Sequence, residues 1–271
     1  MVRFLPCLIV CCLFVGRPAA VSQQRLFRHF SVSDGLPNYS VISLTQDQAG
    51  FMWIGTTAGL CRYDGIRFKV YRNDANDTTS LSSVHISSLF TGKDGTLWVG
   101  GSGGLDKYDP RRDAFERIRF NGRNTGNVFR IYEDSKGRMW VGADNGLFTI
   151  SAEGKTAWFG DAITGNMVKG IVEDHKGRMW IGTDAGLACL EPSGQEYGIS
   201  FFRPFPESRD NRVTSVIEDT QHIIWVGMQN HGLCAFDPKT RTFTTYKTSR
   251  GLVNDHIRCI TPDSAGKLWI G

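Results

Sequence analysis

Cysteines at metal or redox spacing are missing from this chain. Of its seven, Cys7, Cys11 and Cys12 lie in the first apolar run, and Cys61, Cys189, Cys234 and Cys259 are widely scattered with no C-x-x-C pair. A thiolate zinc site or a dense disulfide framework needs clustered cysteines, so both are excluded. The four scattered thiols read instead as small buried hydrophobes. An excess of charge is missing too. The formal +4 falls to +2 when Arg3 and Arg17 are set aside with an N-terminal leader. So weak a balance predicts neither nucleic-acid binding nor a polybasic membrane surface.

Long apolar runs are confined to the N-terminus. Phe4 to Val15 follows the basic start Met1–Arg3 and leads into the small-residue stretch Gly16 to Ser22. Those are the parts of a secretory signal peptide with cleavage before Gln23, and the run is too short to cross a bilayer as a helix. The expected division is therefore 1–22 signal peptide and 23–271 mature domain.

Catalytic signatures are absent as well. His29, His85, His175, His222, His231 and His256 form no H-E-x-x-H and no i,i+4 His pair for zinc. There is no G-x-S-x-G elbow and no phosphate loop. Gly100 to Gly104 is glycine-rich but sits between strands rather than opening a helix. No catalytic residue, metal ligand or cofactor is expected.

What the sequence does contain is a repeat. Trp53, Trp98, Trp140, Trp180, Trp225 and Trp269 stand 45, 42, 40, 45 and 44 residues apart, each followed by Ile or Val and then Gly. Six residues earlier stand Asp47, Asp134, Asp174, Asp219 and Asp263, with Gly92 in the second unit. Three residues earlier stand Gly50, Gly95, Gly137, Gly177 and Gly266, with His222 the exception. Gly-Leu follows the Trp at Gly59-Leu60, Gly104-Leu105, Gly146-Leu147, Gly186-Leu187 and Gly232-Leu233.

Each unit reads as four short strands. In the first, Val41 to Leu44 precedes an Asp47–Gly50 turn, Phe51 to Thr56 carries the Trp, Leu60 to Tyr63 follows, and Asp64-Gly65 turns into Ile66 to Arg72. Helical spacing is nowhere sustained. A period of 40–45 residues with four strands is the pattern of a β-propeller blade. A twisted blade has two apolar faces and can bury neither alone, so radial packing covers both. The Trp is then filler between blades, and the following Gly admits a neighbouring strand.

The fold class is all-β: a propeller of four-stranded antiparallel blades, five complete at 38–73, 83–121, 126–160, 166–204 and 212–248. A sixth opens near Ile257 to Thr261 and stops at Gly271, inside its second strand. Phe27 to Ser31 looks like a fourth strand that would complete the last blade, as ring-closing strands do. A piece of a longer chain is expected.

The run Ser33-Asp34-Gly35-Leu36-Pro37-Asn38, followed by Met52-Trp53-Ile54-Gly55-Thr56-x-x-Gly59-Leu60-x-x-Tyr63-Asp64-Gly65, closely resembles the two-component regulator propeller repeats. Arg250-Gly251-Leu252-Val253-Asn254-Asp255 partly repeats the opener. The likeness covers 27–271 and departs at Gln221-His222-Ile223, with one extra residue before Gly232. It implies the periplasmic sensor region of a hybrid two-component system of Bacteroides type. It also implies partners in a parent chain: a further propeller, an immunoglobulin-like domain, a membrane helix and a histidine kinase. A homodimer and an oligosaccharide ligand are further implications of the family alone.

Because strands are committed to the core, a ligand is expected on the face shared by second-to-third strand turns and inter-blade loops. Tyr39, Arg123, Asn124, Asp144, Asn145, Arg209, Arg212, Asn230 and His231 stand there, with groups suited to sugar hydroxyls or carboxylates. Two other readings stay open: a secreted propeller enzyme, lyase or glycan hydrolase, and a scaffold that binds only protein.

Overall fold

The computed structural model describes residues 28–271 other than 161, 162, 164 and 195. The expected signal peptide lies outside the described residues. The chain divides into two units, Met1–Phe30 and Ser31–Gly271, and every sheet belongs to the second.

Blade one comprises β1 (Val41–Gln46), β2 (Met52–Thr56), β3 (Gly59–Tyr63) and β4 (Phe68–Tyr71). Blade two comprises β5 (Ile86–Thr91), β6 (Leu97–Gly101), β7 (Gly104–Asp109) and β8 (Ala114–Ile118). Blade three follows with β9 (Val128–Glu133), β10 (Met139–Ala143), β11 (Gly146–Ile150) and β12 (Thr156–Trp158). Blade four has β13 (Val168–Glu173), β14 (Met179–Thr183), β15 (Leu187–Ser193) and β16 (Glu196–Phe202). Blade five has β17 (Val213–Glu218), β18 (Ile224–Met228), β19 (Leu233–Asp237) and β20 (Thr242–Tyr246). A two-stranded sheet, β21 (Ile260–Pro262) and β22 (Leu268–Ile270), begins blade six. Each blade is a simple antiparallel meander in chain order. No α-helix occurs among the described residues.

The core lies in the seams between blades. Trp53, Leu60 and Tyr71 of blade one pack on Leu81, Ile86, Leu97 and Tyr108 of blade two, and each later seam repeats that scheme around Trp98, Trp140, Trp180 and Trp225. In blades one to five, the glycine after Trp-[Ile/Val] is where the next blade's first strand passes. A Cβ on Gly142 would stand 2.7 Å from the Val168 side chain, and one on Gly182 would stand 2.4 Å from Val213. No side chain fits there, which explains the third letter of the motif.

The aspartate six residues before every Trp but Trp98 has two tasks. Asp134 Oδ1 accepts the backbone N–H groups of Lys136 and Arg138 and so closes the first hairpin, while Oδ2 accepts the Trp140 indole N–H at 2.8 Å. Asp47, Asp174, Asp219 and Asp263 repeat the indole contact with their own tryptophans. The opener is explained in the same way. Residues Val32–Asp34 and Thr248–Arg250 form 3-10 turns that end on Gly35 and Gly251 at positive φ. Those turns deliver Leu36 into a buried site and Leu252 against the seam of blades five and six.

Three expectations need correction. Residues 28–31 carry no strand, and Phe27 lies outside the described residues. A fourth strand pairs with a third, and blade six shows only two. The first strand of that blade is shorter than expected, Ile260–Pro262, although the Arg258 and Cys259 N–H groups still reach the Gly271 carbonyl. Trp269 is 68% exposed rather than packed between blades. Among the thiols, Cys61, Cys189 and Cys234 are buried, with burial pushing the first two up to about 12 and Cys234 to about 11. Cys259 differs, being exposed.

Candidate functional site: the central channel

The innermost strand of every blade is its first, and β1, β5, β9, β13 and β17 each shift register after one residue. The residues passed over are Ile42, Ser87, Phe129, Lys169 and Thr214. Arg258 holds the same place in blade six, where it and Cys259 both donate to the Gly271 carbonyl. A bulge leaves one residue out of the ladder and re-aims its side chain. Here all six line a cavity of about 540 Å³ walled by the first strands of all six blades.

The residue at this place differs in chemistry from blade to blade. Ser87 and Thr214 spend their hydroxyls on the next blade, donating to the Val128 and Ile257 carbonyls at 2.6 Å each. Lys169 and Arg258 instead present cations, and Lys169 Nζ stands 5.0 Å from the Phe129 ring centroid. One residue further along, the other blades carry Ser43, Ser88, Gly170, Ser215 and Cys259, whereas blade three carries Arg130. Arg130 stays in contact with solvent inside the channel, and the protein around its guanidinium disfavours the charge and lowers its pKa. Arginine remains cationic at neutral pH even so.

The mouth is a smaller cavity of about 280 Å³, bounded by Phe129, Lys169, Thr214, Gln229, His256 and Arg258. Neither cavity has an aspartate or glutamate in its lining. Among the described residues, Arg130, Lys169 and Arg258 make no ion pair. Three unneutralised cations around a narrow cleft focus a positive potential into it. Such a potential favours anions over cations, and guanidinium groups suit carboxylates or sulfates in bidentate geometry.

Gln229 and His256 place the mouth on the face of inter-blade loops and second-to-third strand turns. The residues singled out from sequence stand on that face in separate groups, not in one site. Arg123 lies over the Trp158 ring at 3.5 Å, Asn124 accepts from Gly126 N–H and Asn145, and Asp144 accepts from Asn127 N–H. Two blades away, Asp210 binds Arg212 and Asn230. His231 stacks on Phe205, with its ring nitrogen 3.3 Å from the Ser208 hydroxyl. Most of these polar groups are occupied in holding their own loops. Tyr39 is 83% exposed and solvated. Nothing gives Arg209 a partner among the described residues.

Sequence reasoning missed the channel cations because it assigned whole strands to the core. A signal was available: the bulge residue stands eleven places before each Trp, and the series Ile42, Ser87, Phe129, Lys169, Thr214, Arg258 has no common chemistry. On the opposite face a second cavity of about 540 Å³ separates blades one and two. Its Asp47, Asp94 and Asp109 carboxylates accept turn N–H groups, and Lys107, Arg111 and Glu116 line it as well, so its charge is mixed rather than of one sign.

The two-component regulator propeller family matches residues 35–58, 80–103, 122–145, 162–185 and 251–271. This chain carries two-component regulator propeller repeats. The fifth blade falls outside the matched stretches, in keeping with its Gln221-His222-Ile223 turn. A 63-residue stretch of the regulator propeller, 23% of its length, is 44% identical to Histidine kinase P4 of Formosa agariphila but spans 5% of that protein. In structure it resembles the extracellular domain of a hybrid two-component system from B. thetaiotaomicron, with TM-score 0.70 and 22% identity, covering 90% of this chain and 40% of that one. It also resembles virginiamycin B lyase from Staphylococcus aureus, with TM-score 0.65 and 13% identity, covering 85% of this chain and 77% of the lyase. The repeats therefore span less than half the length of the two-component relatives they match. No helix among the described residues is long and apolar enough to cross a membrane.

Proposed function

We propose that this regulator propeller is the periplasmic, ligand-sensing part of a two-component system, and that its ligand is an acidic oligosaccharide read in the central channel. The observation that carries the reading is the ring of channel residues in which Arg130, Lys169 and Arg258 stand without a carboxylate. The sensing role is supported by the repeats themselves and by a relative that is a histidine kinase. A sugar chain bearing carboxylate or sulfate groups matches the cations with charge-assisted hydrogen bonds, and its hydroxyls match Ser88 and Gln229. The signal would pass to kinase, membrane and further propeller regions of a parent chain.

Isothermal titration with acidic and neutral oligosaccharides of equal length tests the proposal. The acidic series is expected to bind at least tenfold more tightly, to weaken as salt rises, and to lose about tenfold with Lys169→Ala or Arg258→Ala. Equal binding of both series, or binding untouched by either substitution, overturns the channel assignment. A second reading, a lyase, has the Staphylococcus fold likeness in its favour. It predicts that the acidic oligosaccharide is cleaved during the titration, which chromatography of the cell contents would reveal.

A further inference from the structure

At the seam between blades four and five, three potential metal-ligating side chains converge, the one such group among the described residues. His175 stands in the first hairpin of blade four, Glu218 ends β17, and His222 stands in the next hairpin. Both imidazoles direct Nδ1 at one oxygen, Glu218 Oε1, at 2.5 Å from His175 and 3.1 Å from His222. The two rings stack with centroids 3.5 Å apart. The second carboxylate oxygen is held by the His175 backbone N–H at 2.8 Å. All three ligand atoms lie within 4.8 Å of one another.

Part of this arrangement is common to the repeat. A glutamate at the end of a first strand accepts a backbone N–H from the preceding blade at Lys93–Glu133 and again at Ser135–Glu173. Ser135 adds its hydroxyl to Glu173. The clasp between blades therefore needs a backbone donor and at most a hydroxyl. Two histidines exceed that requirement, and the second stands where every other unit has glycine. His222 sits at φ 66°, in the left-handed region that costs a residue with a Cβ about 1 kcal/mol or more. Closing the hairpin does not need its ring, since Asp219 already accepts from Gln221 and Ile223.

We propose that His175, Glu218 and His222 form a three-ligand site for a divalent transition cation of the zinc class, bridging blades four and five. Two imidazole nitrogens and one carboxylate are a recurrent zinc set, with metal–ligand distances of about 2.0–2.2 Å. Imidazole favours zinc, copper or nickel over calcium or magnesium. The Glu218 carboxylate is already oriented by its backbone donor, as metal ligands usually are by their outer partners. With three protein ligands at a partly exposed seam, the fourth position is left to solvent. The site lies on the hairpin face, away from the channel mouth, and stands whether or not the channel binds sugar.

The test is zinc titration of the folded, chelator-treated chain, with cobalt(II) absorption as a second readout. His222→Gly installs the residue the other blades use at this φ, and His175→Ser installs the residue found at Ser135. Wild type is expected to take up one zinc, to melt higher with zinc, and to give visible cobalt bands. Both variants should bind at least tenfold more weakly and lose the zinc-dependent rise, while melting without metal no lower than wild type in the case of His222→Gly. No stoichiometric uptake by wild type, or uptake unchanged in both variants, overturns the site.

Discussion

At the scale of single residues, the tryptophan of each unit is worth what its seam makes it worth. Trp140 is fully buried and its indole satisfies Asp134. Removing it opens a cavity and leaves a buried carboxylate oxygen without its donor. Trp140→Ala is therefore expected to cost about 3–5 kcal/mol in a urea melt. Trp269, in the same sequence motif but 68% exposed, should cost under about 1 kcal/mol. Equal losses at the two positions would mean that the motif, not the seam, sets the energy.

At the scale of elements, the turn after β7 is latched onto the preceding blade. Asp113 accepts from the Tyr108 hydroxyl at 2.6 Å and the Tyr71 hydroxyl at 2.7 Å, and pairs with Lys69 of β4. Burial alone would raise its pKa, but the Lys69 ammonium and the two hydroxyls outweigh that and hold it down to about 2. An unfolded aspartate titrates near 3.9. The latch therefore stabilises the fold fully above pH ~4 and is lost as pH falls toward about 2, because the unfolded chain takes up the proton first. Asp113→Asn should flatten the dependence of melting temperature on pH across that window. Asn tolerates the φ of 51° found here, so the backbone has no separate reason to change. A slope identical to wild type would place the acid sensitivity elsewhere, with Asp174 the next carboxylate to test. There burial opposes the shift, and donors from Trp180 and Arg178 still hold the group low.

At the scale of the whole molecule, protection should fall from the middle blades outward. Every residue of β10 and β14 is buried, whereas β1 leaves Val41, Ile42 and Leu44 exposed and β22 leaves Trp269 and Ile270 exposed. Repeats that touch only their neighbours open from their ends inward. Hydrogen exchange is expected to be slowest in blades three and four and fastest in β1 and blade six. Uniform protection from blade one to blade six would instead mean that the unit opens as a single cooperative body.

The sequence by itself determined the blades, their boundaries to within a few residues, and the spacing of Trp, Gly and Asp. Those features are local: a hairpin needs an acceptor for its own N–H groups, and each blade must offer the same two faces to its neighbours. What only the tertiary structure decided is which variable positions meet. Lys169 and Arg258 are 89 residues apart, one passed over by a register shift in β13 and the other just before β21, and blade packing brings both to one cavity. His175 and Glu218 are 43 residues apart, and adjacent blades bring them within a hydrogen bond. The second task of the repeating aspartates belongs with these, because the indole they hold comes from the next strand. Periodicity reports what every unit shares. A site is made where units differ and the ring brings the differences together, so it becomes legible only once the blades are packed.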